Sequence, residues 1–219
     1  MTLVCFAVKE EARDFQAFCR SNQNVRVVLT GMGARNAQRA VSTALEEIHP
    51  ARVVTAGFAG GLNPELGRGT VVFFKDDSTE FAVRLREAGA RPAQFYCSDQ
   101  VVTRAAEKRV LYERTGAQAV EMESGCIQQL CALANVPVFT VRVVLDTALE
   151  DLALDFNKLM TPDQRLDGRK LAATLLRSPW KIASLIQLQR HSAEAAKSLA
   201  EVLSRALEQP VDRPTLSPI

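Results

Sequence analysis

The chain has 219 residues, of which 47% are hydrophobic and 24% are charged, and its formal net charge at pH 7 is +2. This size and composition predict a single globular domain over residues 1–208, followed by a flexible proline-rich tail over residues 209–219. The small net charge gives no indication of nucleic-acid binding, and no apolar run is long enough to span a bilayer. The first fifteen residues turn acidic too early for a signal peptide, so we expect a cytoplasmic protein.

Short apolar runs alternate with helical patterns in the first half of the chain. Strands are predicted at residues 3–8, 25–29, 52–55 and 71–74, and helices at residues 10–20 and from the turn at 30–37 to about residue 48. The turn TGMGARNA, at residues 30–37, can bring backbone amides close to an anion or a sugar. Asn36 stands where a dinucleotide fingerprint needs its third glycine, which argues against a Rossmann cofactor site. The second glycine-rich stretch, residues 56–70, predicts irregular structure.

The second half continues the alternation. The polar stretch 76–94 is interpreted as a short helix or a surface loop, and the further predictions are strands at 95–97, 101–102, 118–122 and 138–145, and helices at 104–114 and 124–134. Thr103 and Gly116 are the expected caps of the first of these helices. A polar connection at 149–167 leads to a long helical region, 168–207, that Ser178 and Pro179 interrupt. The pattern predicts a three-layer α/β/α domain with a central mixed sheet and a long C-terminal helical region.

The side chains available for chemistry are mainly carboxylates. Five cysteines, mostly in apolar segments, are typical of reduced, buried thiols. The only two histidines, His49 and His191, are far apart in the sequence, which argues against a histidine-based triad or a metal centre.

Three acids bracket the stretch at residues 119–148. Glu121 and Glu123 lie where a predicted strand gives way to a helix, and Asp146 lies where the next strand ends. Acids at the carboxyl ends of strands in an α/β sheet lie where ligands bind. The alternative is that they cap a helix and a turn, since the helix dipole favours an acid at the helix start.

The region at residues 169–193 carries five basic residues, no acid and the only tryptophan, Trp180. We favour an amphipathic helix that packs on the sheet. The alternative is an interfacial helix that gives the protein peripheral contact with the inner face of a membrane.

Three segments resemble, in order, the motifs of the nucleoside phosphorylase and nucleosidase superfamily. VVLTGMGARNA (27–37) resembles its early glycine loop, VVTAGFAGGLNPELGRGTVV (53–72) its second glycine loop, and residues 119–148 its signature block with a Met-Glu pair and a closing aspartate. The resemblance implies that fold, a homo-oligomer such as a dimer, and cleavage of the N-glycosidic bond of a purine nucleoside. Hydrolysis and phosphorolysis both stay open. No cofactor is implied, although phosphate is a possible co-substrate.

The resemblance also implies roles for particular residues. Glu123 would bind the ribose hydroxyls, Asp146 would face N7 of the purine and help to protonate it, and Glu11 would activate water. Further implied substrate-binding positions, in the signature block, the second glycine loop and the segment against the base, are Met122, Gly57, Phe58, Val101 and Val102. The nucleophile or phosphate loop would contain Gly31, Gly33 and, beside it, Arg35, for which an exposed helix arginine is the alternative.

The chain departs from the family pattern at several points. Thr70 and Leu145 replace an aspartate and a serine of the motifs, and the segment between residues 69 and 99 is short. These departures favour an alternative function, a nucleoside- or adenine-binding protein that has lost catalysis, whereas retention of the three acids argues against it. Residues 166–203 resemble the hopanoid-associated phosphorylase subgroup, which implies an adenine nucleoside with a bulky, hydrophobic 5′ substituent similar to adenosyl-hopane.

Overall fold

The computed structural model describes residues 1–74, 79–164 and 166–208, so the predicted tail at 209–219 lies outside the described residues. Its centre is one sheet of eight described strands. The strands are β1 Thr2–Phe6, β2 Val25–Leu29, β3 Arg52–Gly61, β4 Val71–Phe74, β5 Arg91–Ala93, β6 Phe95–Cys97, β7 Ala119–Glu121 and β8 Val138–Asp146. The order along the sheet is β2-β1-β3-β8-β4-β5, and β7 pairs with both β3 and β6.

Strand directions make the sheet mixed, as predicted. β1 is parallel to both β2 and β3, and β3 is parallel to β8. β4 runs antiparallel to β8, and β7 runs antiparallel to β3. Helices cover both faces of the central strands, which explains why these strands are nearly continuous apolar runs in the sequence.

Helices form the two outer layers. They are α1 Lys9–Ala12, α2 Phe15–Ser21, α3 Ala34–Ile48, α4 Glu80–Glu87, α5 Ala105–Thr115, α6 Ser124–Leu133, α7 Phe156–Leu159, α8 Gly168–Arg177 and α9 Lys181–Leu207. α3 and α6 bury Val41 and Ile127 against one face of the sheet. The second half of α9 buries Leu199 and Leu203 against the other face, together with Phe81 of α4. The predicted three-layer arrangement is therefore confirmed.

The irregular structure predicted for residues 56–70 is found only at 62–70; the prediction is wrong for residues 56–61, because β3 continues to Gly61. Its backbone pairs with β8 along most of its length. The glycines leave room for two acids: a Cβ at Gly57 would lie 2.6 Å from Oε1 of Glu11, and one at Gly60 would lie 3.4 Å from Oδ2 of Asp146. The glycines here serve close approach to carboxylates within a regular strand.

Other boundaries also differ from the sequence prediction. The helix predicted at 10–20 is two short helices, since α1 ends at Ala12 and α2 begins at Phe15. Residues 101–102 are not a strand. The polar stretch at 76–94 contains both α4 and β5, while residues 75–78 lie outside the described residues. Arg104, one residue after the predicted Thr103, is the N-cap of α5, and Gly116 is its C-cap as predicted.

The C-terminal helical region is interrupted at residues 178–180, as predicted. The favoured interpretation of residues 169–193, packing on the sheet, holds for the residues that follow them rather than for these residues themselves. α8 has no buried residue, and the buried residues of α9 begin at Ala195. The basic, Trp-bearing half of this region therefore stands away from the core.

Candidate active site

Glu11 is a buried carboxylate held by backbone amides. β1 ends just before α1, and from the first turn of this helix the side chain of Glu11 folds back over the end of the strand. Oε2 accepts hydrogen bonds from the amides of Ala7 (2.9 Å) and Val8 (3.1 Å), and Oε1 accepts one from the amide of Phe58 at 2.8 Å. Burial raises the pKa of Glu11, although these amides and Arg142 oppose the rise. A carboxylate whose pKa is raised is a stronger base than an ordinary glutamate.

Glu123 lies at the start of α6, across the site from Glu11. Its Oε1 accepts a hydrogen bond from the amide of Gly33, at 2.9 Å. The first glycine loop was expected to bring its amides close to an anion, and the group that its Gly33 amide binds is the carboxylate of Glu123. Burial raises the pKa of Glu123 to about 7, and the charges of Glu121 and Glu11 act in the same direction while Arg142 opposes them.

Arg142, which the sequence reasoning missed, connects these acids. It is 2% exposed and lies in β8, where its register partner is Gly57 of β3. Nη2 donates to Oε2 of Glu121 at 2.7 Å and to Oγ1 of Thr55 at 3.0 Å, while Nη1 donates to the Thr55 carbonyl at 2.7 Å. Nη2 also lies 3.9 Å from Oε2 of Glu123. An arginine inside an otherwise apolar strand was the available signal, since a buried charge needs a partner.

Glu121 differs from its neighbour Glu123. It accepts hydrogen bonds from the amide and the hydroxyl of Ser124, at 2.8 and 2.6 Å, in addition to the contact with Arg142. Burial opposes ionisation, but Arg142 and the Ser124 bonds hold the pKa of Glu121 below its ordinary value. The helix-capping alternative is therefore correct for Glu121, which holds Arg142 and the start of α6 in place.

Asp146 is the last residue of β8, where a register shift between Ala59 and Gly60 of β3 sets it opposite Gly60. Its Oδ2 accepts a hydrogen bond from Nζ of Lys108 at 2.5 Å. Burial raises the pKa of Asp146, and Lys108 opposes the rise. The partly buried side chain of Leu145, the preceding residue, packs against the hydrophobic core.

The family model of the Phosphorylase superfamily matches the chain at residues 7–96 and 82–177, a span that contains Glu11, Glu123, Arg142 and Asp146. The chain belongs to this superfamily. The resemblance found in the sequence motifs is thereby confirmed, whereas its hopanoid-associated subgroup stays a prediction.

Relatives within the superfamily include nucleosidases. The 5′-methylthioadenosine/S-adenosylhomocysteine nucleosidase of Anoxybacillus flavithermus is 27% identical over 172 residues, which are 63% of this chain and 74% of the relative. The nucleosidase of the same name from Shewanella sediminis is 24% identical over 67% of this chain and 79% of its own.

Solved structures share the fold. The 5′-methylthioadenosine/S-adenosyl homocysteine nucleosidase of Campylobacter jejuni aligns with a TM-score of 0.67 at 16% identity, over 94% of this chain and 97% of its own. The futalosine hydrolase of Helicobacter pylori aligns with a TM-score of 0.69 at 14% identity, over 94% of this chain and 96% of its own.

A cavity of about 170 Å³ lies at the start of α3 in this superfamily member, and Glu11, Glu123 and Asp146 are not among its lining residues. Met122 and Arg35, two of the predicted residues, line it together with Asp99 and Gln164. The side-chain oxygen of Gln164 is buried, has no hydrogen-bond partner and lies 1.2 Å from where a Cβ on Gly33 would be. Only a glycine at position 33 lets this side chain reach the first glycine loop.

The remaining predicted residues occupy the margins of the site. Gly31 donates its amide to the carbonyl of Ala7 at 3.0 Å, so it ties the glycine loop to β1. Asn157 bonds both the amide and the carbonyl of Val101, at 3.0 and 2.9 Å. Val102 packs beside Val120, whose side chain adjoins Gly60 near Asp146. Among residues 1–74, 79–164 and 166–208, no group of three or more acids, cysteines or histidines could hold a metal ion.

Proposed function

We propose that the protein hydrolyses the N-glycosidic bond of an adenine nucleoside. The observation that carries the proposal is a set of three acids at one edge of the sheet, the buried Glu11 and Asp146 and the part-buried Glu123, each with a pKa raised by burial. The names of the nucleosidase relatives support adenine as the leaving base.

The three acids supply the groups that the reaction needs. As the bond between C1′ and N9 breaks, its electron pair goes to the purine, which takes a proton at N7 from Asp146. Glu123 accepts hydrogen bonds from the sugar hydroxyls and offsets the positive charge that develops on the sugar. Water adds to C1′ and gives its proton to Glu11, so the products are free adenine and a free sugar.

Electrostatics favour water over phosphate as the nucleophile. Three carboxylates surround one buried guanidinium, and that guanidinium already bonds Glu121 and Thr55. A phosphate dianion would meet net negative charge there. Arg35, the cation predicted for phosphate, is an exposed residue at the rim of the cavity.

The 5′ substituent we propose is bulky and apolar. The resemblance of residues 166–203 to the hopanoid-associated subgroup supports this choice, as do the exposed side chains of Leu176 in α8 and of Trp180 just after it. The homo-dimer implied by the family resemblance stays a prediction.

We also propose that α8 and the first half of α9 contact an anionic membrane surface. Leu176 and Trp180 are 84% and 71% exposed, and Ile182 and Ile186 repeat at helical spacing on the exposed side of α9. A second copy is a poorer occupant of this face, because it would bring a second set of five basic residues, with no acid, against the first. None of the described helices is long and apolar enough to cross a membrane.

The test of the proposed reaction is release of adenine from 5′-substituted adenosines, with and without phosphate. We expect release that does not depend on phosphate, a loss of about 10²–10⁴-fold in Asp146→Asn, and a loss of roughly 10–100-fold in Glu123→Ala. Asp14→Asn is the matched control, since Asp14 lies outside the site and forms an ion pair with its exposed neighbour Arg13. Full activity in both site variants would show that these acids do not form the active site.

A second candidate function is adenine binding without cleavage. The observation that favours it is the contact of Lys108 with Asp146, because an ammonium group stabilises the carboxylate over the acid. Stabilisation by adenine in a thermal-shift assay, with no turnover of any 5′-substituted adenosine, would support this second function over the first.

A further inference from the structure

Lys108 is a fully buried lysine that the steps above leave without a role. It lies in α5 with 0% of its surface exposed. Nζ donates to Oδ2 of Asp146 at 2.5 Å, to the carbonyl of Thr147 at 2.7 Å and to the carbonyl of Glu150 at 2.8 Å. The three N–H bonds of an ammonium group thus meet three oxygen acceptors. Because an unpaired lysine is costly to bury, this cage is a built site for a charged Nζ.

Two other charged groups face Asp146, and they largely offset each other. Arg68 approaches from the loop after β3, and its Nη2 donates to Oε1 of Glu150 at 2.6 Å. Arg68 also donates to the Leu145 carbonyl and lies 3.3 Å from Nε2 of His191. Lys108 is the largest of the influences that lower the pKa of Asp146 against the effect of burial. It is therefore the charge on which the protonation of Asp146 depends most.

We propose that Lys108 is a positioning residue that holds Asp146 by Oδ2 and makes it a stronger acid toward the leaving base. Among the described residues none donates a hydrogen bond to Oδ1, so this oxygen can carry the proton. When the purine takes that proton at N7, Asp146 becomes a carboxylate, and the adjacent ammonium stabilises it. The proton transferred is the one on Oδ1 of Asp146. This role rests on the proposed function, in which Asp146 is the acid.

The sign of the effect follows from the charge. Lys108 favours the ionised form of Asp146, so its removal raises the pKa of Asp146. If Asp146 acts as an acid, activity is lost as pH rises through that pKa, and the high-pH limb of the rate profile moves upward without Lys108. The acid at low pH is then weaker, which lowers kcat there.

The experiment compares Lys108→Met with Arg109→Met, its neighbour on the exposed side of α5. Protein labelled at the aspartate side-chain carbon is titrated by NMR, and the Asp146 signal is identified by its loss in Asp146→Asn. We expect the midpoint of Asp146 to rise by about 1–3 pH units in Lys108→Met and to stay unchanged in Arg109→Met. An unchanged midpoint in Lys108→Met would overturn the inference.

The pH dependence of kcat in the same variants separates this inference from the proposed function. If the wild-type protein cleaves no nucleoside but the Asp146 midpoint still rises in Lys108→Met, the coupling is supported and the proposed reaction is rejected. If Lys108→Met turns over substrate and the high-pH limb of its kcat profile stays where it is in the wild type, the role of Lys108 is rejected. Lys108→Gln is the second neutral variant, since its amide can still donate to the Thr147 carbonyl. If both neutral variants fail to fold while Arg109→Met folds, Lys108 is a folding residue and the inference is wrong.

Discussion

Gly57 lies where the backbone of β3 passes the carboxylate of Glu11. The side chain of Glu11 extends to β3, where it accepts a hydrogen bond from the amide of Phe58, the residue after Gly57. Any side chain at position 57 would occupy the space of that carboxylate. The glycine and the acid are therefore one structural unit, although 46 positions separate them in the printed sequence.

Gly57→Ala tests this unit. Its Cβ would stand 2.6 Å from Oε1 of Glu11 and displace the carboxylate from its amides. We expect kcat/KM for adenine release to fall about 100-fold, the cost of misplacing a reacting group by about 1 Å. Gly168→Ala, where an added Cβ would meet nothing within 4 Å, is the control. Equal activity in the two variants would mean that Glu11 is not the base.

At the scale of elements, α8 and the first half of α9 form a basic and apolar surface that has no buried residue among those that the structure describes. Apolar side chains that leave water on contact with a bilayer interface, and basic side chains attracted to anionic headgroups, act together in such helices. The arrangement separates this surface from residues 195–207, which anchor α9 in the core.

Sedimentation with lipid vesicles tests this surface. We expect the protein to bind vesicles that contain anionic phospholipid, to bind zwitterionic vesicles weakly, and to be released by salt because the attraction is partly electrostatic. Trp180→Ser should weaken binding, whereas Leu133→Ser, which removes an exposed side chain from α6, should not. Binding that is absent, or that Leu133→Ser lowers as much as Trp180→Ser, would argue against a membrane contact here.

At the scale of the whole molecule, the buried acids couple stability to pH. The pKa of Glu123 is about 7 in the folded protein, against an ordinary value of 4.5. The folded protein thus holds a proton that the unfolded chain releases, and the stability contributed by Glu123 below pH 4.5 is lost as pH rises through about 7. The contribution of Glu121 to stability has the opposite pH dependence: because its pKa is lowered in the folded protein, that contribution is lost as pH falls.

Urea unfolding between pH 5 and pH 8 compares the two glutamates. Glu123→Gln should remove a pH-dependent fall of up to about 3 kcal/mol in the free energy of unfolding. Glu121→Gln should instead destabilise the protein by about 3–5 kcal/mol at pH 7, because it leaves the charge of Arg142 buried without its nearest partner. The same pH dependence in both variants would contradict the assigned difference between these neighbours.

The sequence by itself determined the alternation of strands and helices, the family and its predicted acids, because apolar periodicity and ordered motifs are local signals. β2 has the predicted bounds, and Gly116 caps α5.

Only the tertiary structure decided where the buried cations bind. Lys108 pairs with an acid 38 residues away and Arg142 with one 21 residues away, and strand pairing and helix packing alone set these contacts. Lys108 lies among polar residues of a helix, so nothing local distinguished it from a solvated lysine. The exposure of α8 was likewise undecided, since the same amphipathic pattern serves packing on a sheet and contact with a membrane.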